Sequence, residues 1–172
     1  MNTLLQIFFS RRSVRRYQDR EIPEETLKDL LEAAMAAPSA VARDPWHFIV
    51  IRERETMERI ADLLPNGQML RHAAAAVVVC GDIEKAHDRE ESYMLQDCSA
   101  AIENILLAAT ALGLGSCWLG VHPRTARIEG VRALFNLPER VIPVAGISLG
   151  WPEKNPGPRT RYSGDSVHWE TW

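Results

Sequence analysis

Four of the six residues from 11 to 16 are arginine, within Ser10-Arg11-Arg12-Ser13-Val14-Arg15-Arg16-Tyr17. A guanidinium is planar, permanently charged and forked, so it suits phosphate oxygens, and the Ser13 hydroxyl adds another hydrogen bond. Cations this close repel one another unless an anion or carboxylates neutralise them. Near the other end, Arg159 and Arg161 supply two more. The formal net charge is nevertheless -3, so the basic charge is local and a general polyanion binder is disfavoured. These residues point to a phosphate-bearing small molecule. The rival readings are a solvated basic loop and a nucleic-acid contact. The latter is weakened because only Phe8, Phe9 and Tyr17 stand near for base stacking.

Other strings that could carry chemistry fail on context. Gly113-Leu114-Gly115 lies between a helix and a strand, the reverse of the dinucleotide-binding order, and reads as a helix C-cap and turn. Gly146-Ile-Ser148-Leu-Gly150 has the letters of a nucleophile elbow. Ser148 falls inside a strand pattern followed by Trp151-Pro152, so the required helix cannot follow. The five histidines (47, 72, 87, 122 and 168) never reach His-x-x-x-His spacing, and no metal site is expected. Cys80, Cys98 and Cys117 are odd in number and far apart, which suits reduced thiols in a cytoplasmic protein. Two stretches remain as candidate ligand contacts. Residues 36–46 join a helix to a strand through small side chains, which let a flat ligand approach the backbone and equally suit ordinary tight packing. Gly115-Ser-Cys-Trp-Leu-Gly120 can aim backbone N–H groups at a ligand, and on its own reads equally well as a plain turn; Cys117 within it reads as packing.

The elements that must position these residues follow from periodicity. With 172 residues, 46% hydrophobic and 25% charged, the chain suits one globular domain over 1–172. Residues 3–9 read as a short helix delivering the arginines. Pro23 opens a helix with Leu27, Leu30, Leu31 and Ala34 on one face, stopped by Pro38. Strands are expected at 46–51, 75–80, 116–121 and 141–149, and helices at 55–64, 92–112 and 123–135. From Cys98 to Leu112 the long helix carries one charge, Glu103, so it must be covered on nearly every face, by a core or by another subunit. The tail 151–172 cannot bury Trp169 and Trp172 alone and is expected to dock on a partner. No signal peptide and no membrane span are expected. The mixture of strands and helices indicates an α+β or α/β sandwich.

In order and spacing, SRRSVRRY, APSAVARDPWHF, GQMLRHAAAAVVVCGD, QDCSAAIENILLAATALGLGSCWLGV, LFNLPERVIPVAGISLGWP and the Arg-rich tail ending RYSGDSVHWETW resemble the nitroreductase family of FMN flavoproteins along essentially the whole chain. The resemblance implies an α+β three-layer α-β-α sandwich forming an intertwined homodimer, with FMN at the subunit interface. It implies that Arg11, Arg12 and Ser13 hold the phosphate and ribityl end, with Arg159 or Arg161 completing the clamp. Arg15 would sit by the N1/O2 edge of the flavin, where a cation stabilises the charge left by two-electron reduction. Pro38, Ser39 and Ala40 would line the ring from the other subunit. Gln68 would hydrogen-bond near the pyrimidine edge, and Leu119 and Gly120 would offer backbone N–H near N5. No catalytic side chain and no metal are implied, because the flavin carries the chemistry.

The implied activity is transfer of two electrons from NADH or NADPH to a nitroaromatic, quinone or similar electrophile by a ping-pong route. Relatives often read Asn-x-Gln-Pro-Trp where this chain has Ala42-Arg43-Asp44-Pro45-Trp46. Both amides are gone, and Asp44 is expected to pair with Arg43 or another arginine. That departure motivates the alternative of a non-catalytic flavin-binding or sensing protein. Dehalogenation and azoline oxidation are other chemistries of the same scaffold.

Overall fold

The computed structural model describes residues 2–172. Four strands, β1 (Trp46–Ile51), β2 (Ala75–Asp82), β3 (Gly115–Gly120) and β4 (Val141–Gly150), form one sheet in the order β1-β2-β4-β3, antiparallel at every pairing. Side-chain alternation sorts the layers. Ala75, Val77 and Val79 of β2 enter one core, and Ala76, Val78 and Cys80 enter the other. A strand covered on both faces needs no polar alternation, which is why β2 reads as an unbroken apolar run.

Helices α2 (Glu24–Met35) and α4 (Glu91–Ala111) cover the first face, and α3 (Arg54–Leu63) and α5 (Thr125–Phe135) cover the second. The short α1 (Gln6–Ser10) is the fifth α-helix among the described residues. The result is the three-layer α-β-α sandwich. The expected elements are all present, with boundaries moved by one to a few residues. Glu24 and Glu25 occupy the first turn of α2, where the positive end of the helix dipole favours them.

The end of α4 shows how local sequence sets the path into β3. Gly113 adopts φ 77°, Leu114 N–H bonds the Ala109 carbonyl at 2.7 Å, and Gly113 N–H bonds Thr110 at 3.2 Å. This is a Schellman cap, and the glycine supplies the left-handed residue at low cost. Within α4, Met94, Cys98, Ala101, Ile102, Ile105 and Ala109 are buried against the sheet. Ser99, Ala100, Glu103, Leu107 and Thr110 are only half-buried, so a single chain covers this apolar helix on one side.

The segment after α1 behaves as an extra edge of the sheet. Ser13 bridges Ser116 in parallel, with Val14 N–H bonding the Ser116 carbonyl at 2.9 Å. On its other side Tyr17 bridges Pro152, and Gln18 N–H bonds the Trp151 carbonyl at 2.8 Å. The arginine segment is thus held between β3 and the start of the tail.

Candidate active site

Val14 and Tyr17 anchor the arginine segment. The Tyr17 hydroxyl lies 2.7 Å from the Val14 carbonyl and 2.8 Å from Ser148 Oγ, with the ring 6% exposed. Burial pushes its pKa far above the usual phenol range, and the Ser148 bond only partly offsets this. Gly150 makes room for the ring: a Cβ there would stand 2.7 Å from it. Ser148, whose string mimicked a nucleophile elbow, is a strand residue buried under Tyr17.

With Val14 and Tyr17 turned inward, Arg11, Arg12 and Arg15 serve two clefts, and Arg16 lines neither. In the first, of about 370 Å³, Arg11 and Arg12 meet Arg159 and Arg161 from the tail. The tail is fastened there by Arg159 N–H to the Phe9 carbonyl at 2.8 Å and by Arg12 Nη1 to the Gly157 carbonyl at 2.7 Å. Four arginines from the two ends of the chain therefore line one volume, an arrangement suited to a phosphate. Arg11 Nε also lies 3.6 Å from Glu103 Oε1. Desolvation raises the Glu103 carboxyl above its usual range, with Arg11 opposing the shift.

The second cleft, of about 550 Å³, is lined by Arg15, Gln68, Cys117, Leu119, Gly120 and Arg127, among others. Arg15 makes no ion pair among the described residues. Gln68 is already engaged: its Nε2 donates to the Ala61 carbonyl at 2.9 Å, and its Oε1 accepts from Arg71 Nε at 3.1 Å. Arg54 ties down the neighbouring turn by bonding the Leu70, Arg71 and Ala73 carbonyls at 3.2, 2.8 and 3.1 Å. Cys117 is 2% exposed, and burial raises its thiol pKa, so it packs rather than reacts.

Pro38, Ser39 and Ala40 do not line either cleft within one chain. They belong to a loop in which Val41, Ala42 and Asp44 take φ values of 53°, 51° and 48°. Left-handed backbone costs a non-glycine residue on the order of 1 kcal/mol. The turn brings Asp44 back onto Ser39: the Ser39 hydroxyl meets Asp44 Oδ1 at 2.5 Å, and Asp44 N–H bonds Ser39 Oγ at 3.0 Å. The expected pairing of Asp44 with an arginine is therefore corrected. Its left-handed backbone directs the carboxylate at Ser39 instead.

Arg127 is a further residue of the second cleft, and the sequence carries one signal for it. It stands in the first turn of α5, which holds no acid, where the helix dipole disfavours a cation. Its Nη1 instead bonds the Gly120 carbonyl at 2.8 Å, holding the β3 end of the second cleft.

The sequence profile described as "Nitroreductase family" matches residues 9–68 and 62–151. The chain belongs to the nitroreductase family. The matched segments contain the arginine segment, the 38–44 loop and β3, and they stop short of Arg159 and Arg161. A Methanothermobacter thermautotrophicus protein named "Putative NADH dehydrogenase/NAD(P)H nitroreductase" is 48% identical over 169 residues, covering 98% of this chain and 87% of its own. A Parabacteroides distasonis crystal structure of the same name superposes with TM-score 0.93 at 38% identity, over 100% of both chains. A Desulfovibrio desulfuricans nitroreductase-type protein solved in complex with FMN has TM-score 0.84 and 31% identity, over 100% of this chain and 99% of that one.

Proposed function

We propose that this chain is an FMN-dependent oxidoreductase that passes two electrons from NADH or NADPH to a nitroaromatic, quinone or similar electrophile. The observation that carries this reading is that Arg11, Arg12, Arg159 and Arg161 line one cleft, while Arg15, four residues along the same segment from Arg11, lines a larger one with Leu119 and Gly120. The donor set fits the cofactor: a cationic end for a phosphate, then a part-apolar cleft with backbone groups for a flat ring. The relative crystallised with FMN, matching this chain over its whole length, supports the same reading.

Arg11, Arg12, Ser13, Arg159 and Arg161 hold the phosphate end in this proposal. Arg15 supplies positive charge at the ring, where reduction leaves negative charge. Leu119 and Gly120 present backbone groups along β3, and Arg127 fixes the Gly120 peptide. When bound, FMN supplies the redox chemistry, accepting hydride from a reduced nicotinamide and delivering two electrons to the acceptor. The residues of the chain bind, orient and electrostatically support. Reductant and acceptor occupy the same cleft in turn, which is a ping-pong order.

A homodimer is part of the proposal. A single chain leaves Phe8, Met35, Tyr162, Trp169 and Trp172 exposed, the last at 100%, together with the open side of α4. A second copy covers these surfaces and delivers Pro38, Ser39 and Ala40 to the ring cleft. Among the described residues no helix is long and apolar enough to cross a membrane.

The test is direct. Purified protein should carry or take up one FMN per chain, sediment as a dimer and oxidise NADH or NADPH in the presence of a nitroaromatic or quinone. A colourless monomer that refuses FMN refutes the proposal. A protein that binds FMN yet keeps it oxidised under excess reduced nicotinamide is instead a flavin-binding module.

A further inference from the structure

The 39–44 loop is strained and largely exposed, and one hydrogen bond ties it to the body of the protein. Among the described residues, the hydrogen bonds of residues 39–44 run within the loop, with one exception: Ala40 N–H bonds Asp97 Oδ1 at 2.9 Å. Asp97 belongs to α4 and is only 5% exposed. Its other oxygen, Oδ2, is buried with no hydrogen-bond partner. A half-satisfied buried carboxylate is a poor device for stability, because an unpaired polar atom keeps its desolvation penalty. Three left-handed residues, one of them the β-branched Val41 at 70% exposure, are equally unfavourable by themselves. Both unfavourable features meet at one hydrogen bond.

We propose that Asp97 is a positioning residue: through Ala40 it holds the strained 39–44 loop in the shape that completes the cofactor site. This rests on the flavin reading, in which Pro38, Ser39 and Ala40 reach the ring bound by the partner subunit. Asp97 does not touch the cofactor. It fixes the Ser39–Ala40–Val41 turn, while the Ser39–Asp44 clasp closes the loop on itself. Without Asp97 the turn is free to relax into right-handed or extended backbone, which Val41 and Ala42 prefer.

The test compares Asp97→Ala and Asp97→Asn in the full-length protein. Alanine removes the acceptor from a helix interior that it otherwise suits, so the helix is kept while the loop is released. Asparagine keeps a carbonyl oxygen for Ala40 and should rescue. In Asp97→Ala, amide exchange across 38–44 is expected to rise and FMN affinity to fall, each by about tenfold, the worth of one charge-assisted hydrogen bond. In Asp97→Asn both should return to within about threefold of the parent, since the acceptor oxygen is retained. Unchanged exchange and FMN affinity in the alanine variant overturn the proposal. An asparagine variant as impaired as alanine also overturns it, because charge rather than the acceptor would then matter. A parent protein that binds no FMN refutes the flavin reading, while the exchange measurement still judges Asp97.

Discussion

Tyr17 is the anchor on which the arginine segment turns, and Tyr17→Phe isolates its hydroxyl. The ring stays, so packing against Gly150 is conserved. What disappears is the oxygen 2.7 Å from the Val14 carbonyl and 2.8 Å from Ser148 Oγ. Ser148 is 0% exposed, so water cannot replace the lost partner. Leaving a buried hydroxyl and a part-buried carbonyl unpaired costs about 1–3 kcal/mol, and we take about 2. For a chain of this size that lowers the thermal midpoint by about 4–8 °C. Chemical denaturation at fixed protein concentration measures the loss. Ser148→Ala in the same background should recover about 1 kcal/mol, because it removes one of the stranded groups. The Val14 peptide holds the arginines beside β3, so FMN affinity should fall together with stability. A loss below about 0.5 kcal/mol, within the range of ordinary surface changes, refutes the anchoring argument.

Replacing Arg159 and Arg161 together by alanine should weaken FMN binding by at least about tenfold and leave riboflavin, which has no phosphate, nearly unaffected; equal losses for both ligands place the tail arginines elsewhere. Glu103→Gln should tighten FMN by up to about fivefold at neutral pH by releasing Arg11, the modest range of a part-exposed ion pair, again without effect on riboflavin. The folded Glu103 pKa is raised from 4.5, so its proton is held more tightly in the fold. Its contribution to stability is present below that value and is lost as pH rises through the shifted pKa, and the glutamine variant should lack this slope. Gly115→Ala puts a Cβ 2.8 Å from the Val14 Cβ. The expected cost is about 1–3 kcal/mol together with weaker FMN binding, whereas Gly157→Ala, which meets nothing within 4 Å, should be nearly silent. Burial raises Cys80 and Cys98 from 9.0 to about 12, so iodoacetamide at pH 8 should label them only after unfolding. The sign for stability is a loss as pH climbs from 9.0 towards about 12, where only the unfolded thiols ionise freely.

Periodicity and local chemistry were enough to locate the strands, the helices and the arginine cluster. A β-branched run such as Val77-Val78-Val79 can be buried on both sides only as a central strand. A glycine at 113 after an apolar helix can only end it well. These are short-range constraints, written in consecutive residues. The same holds for the phosphate chemistry of residues 11–16, since guanidinium groups carry their charge wherever the chain goes. Tertiary structure decided the rest, because it depends on which distant residues meet. Nothing local brings Arg159 beside Arg11, sets Glu103 against that arginine or turns Asp44 onto Ser39. Asp97 reads in sequence as one polar residue in an apolar helix; only the fold puts its carboxylate under Ala40. Hydrogen bonds and ion pairs act over a few ångströms, and the folded path of the backbone alone determines which groups come that close.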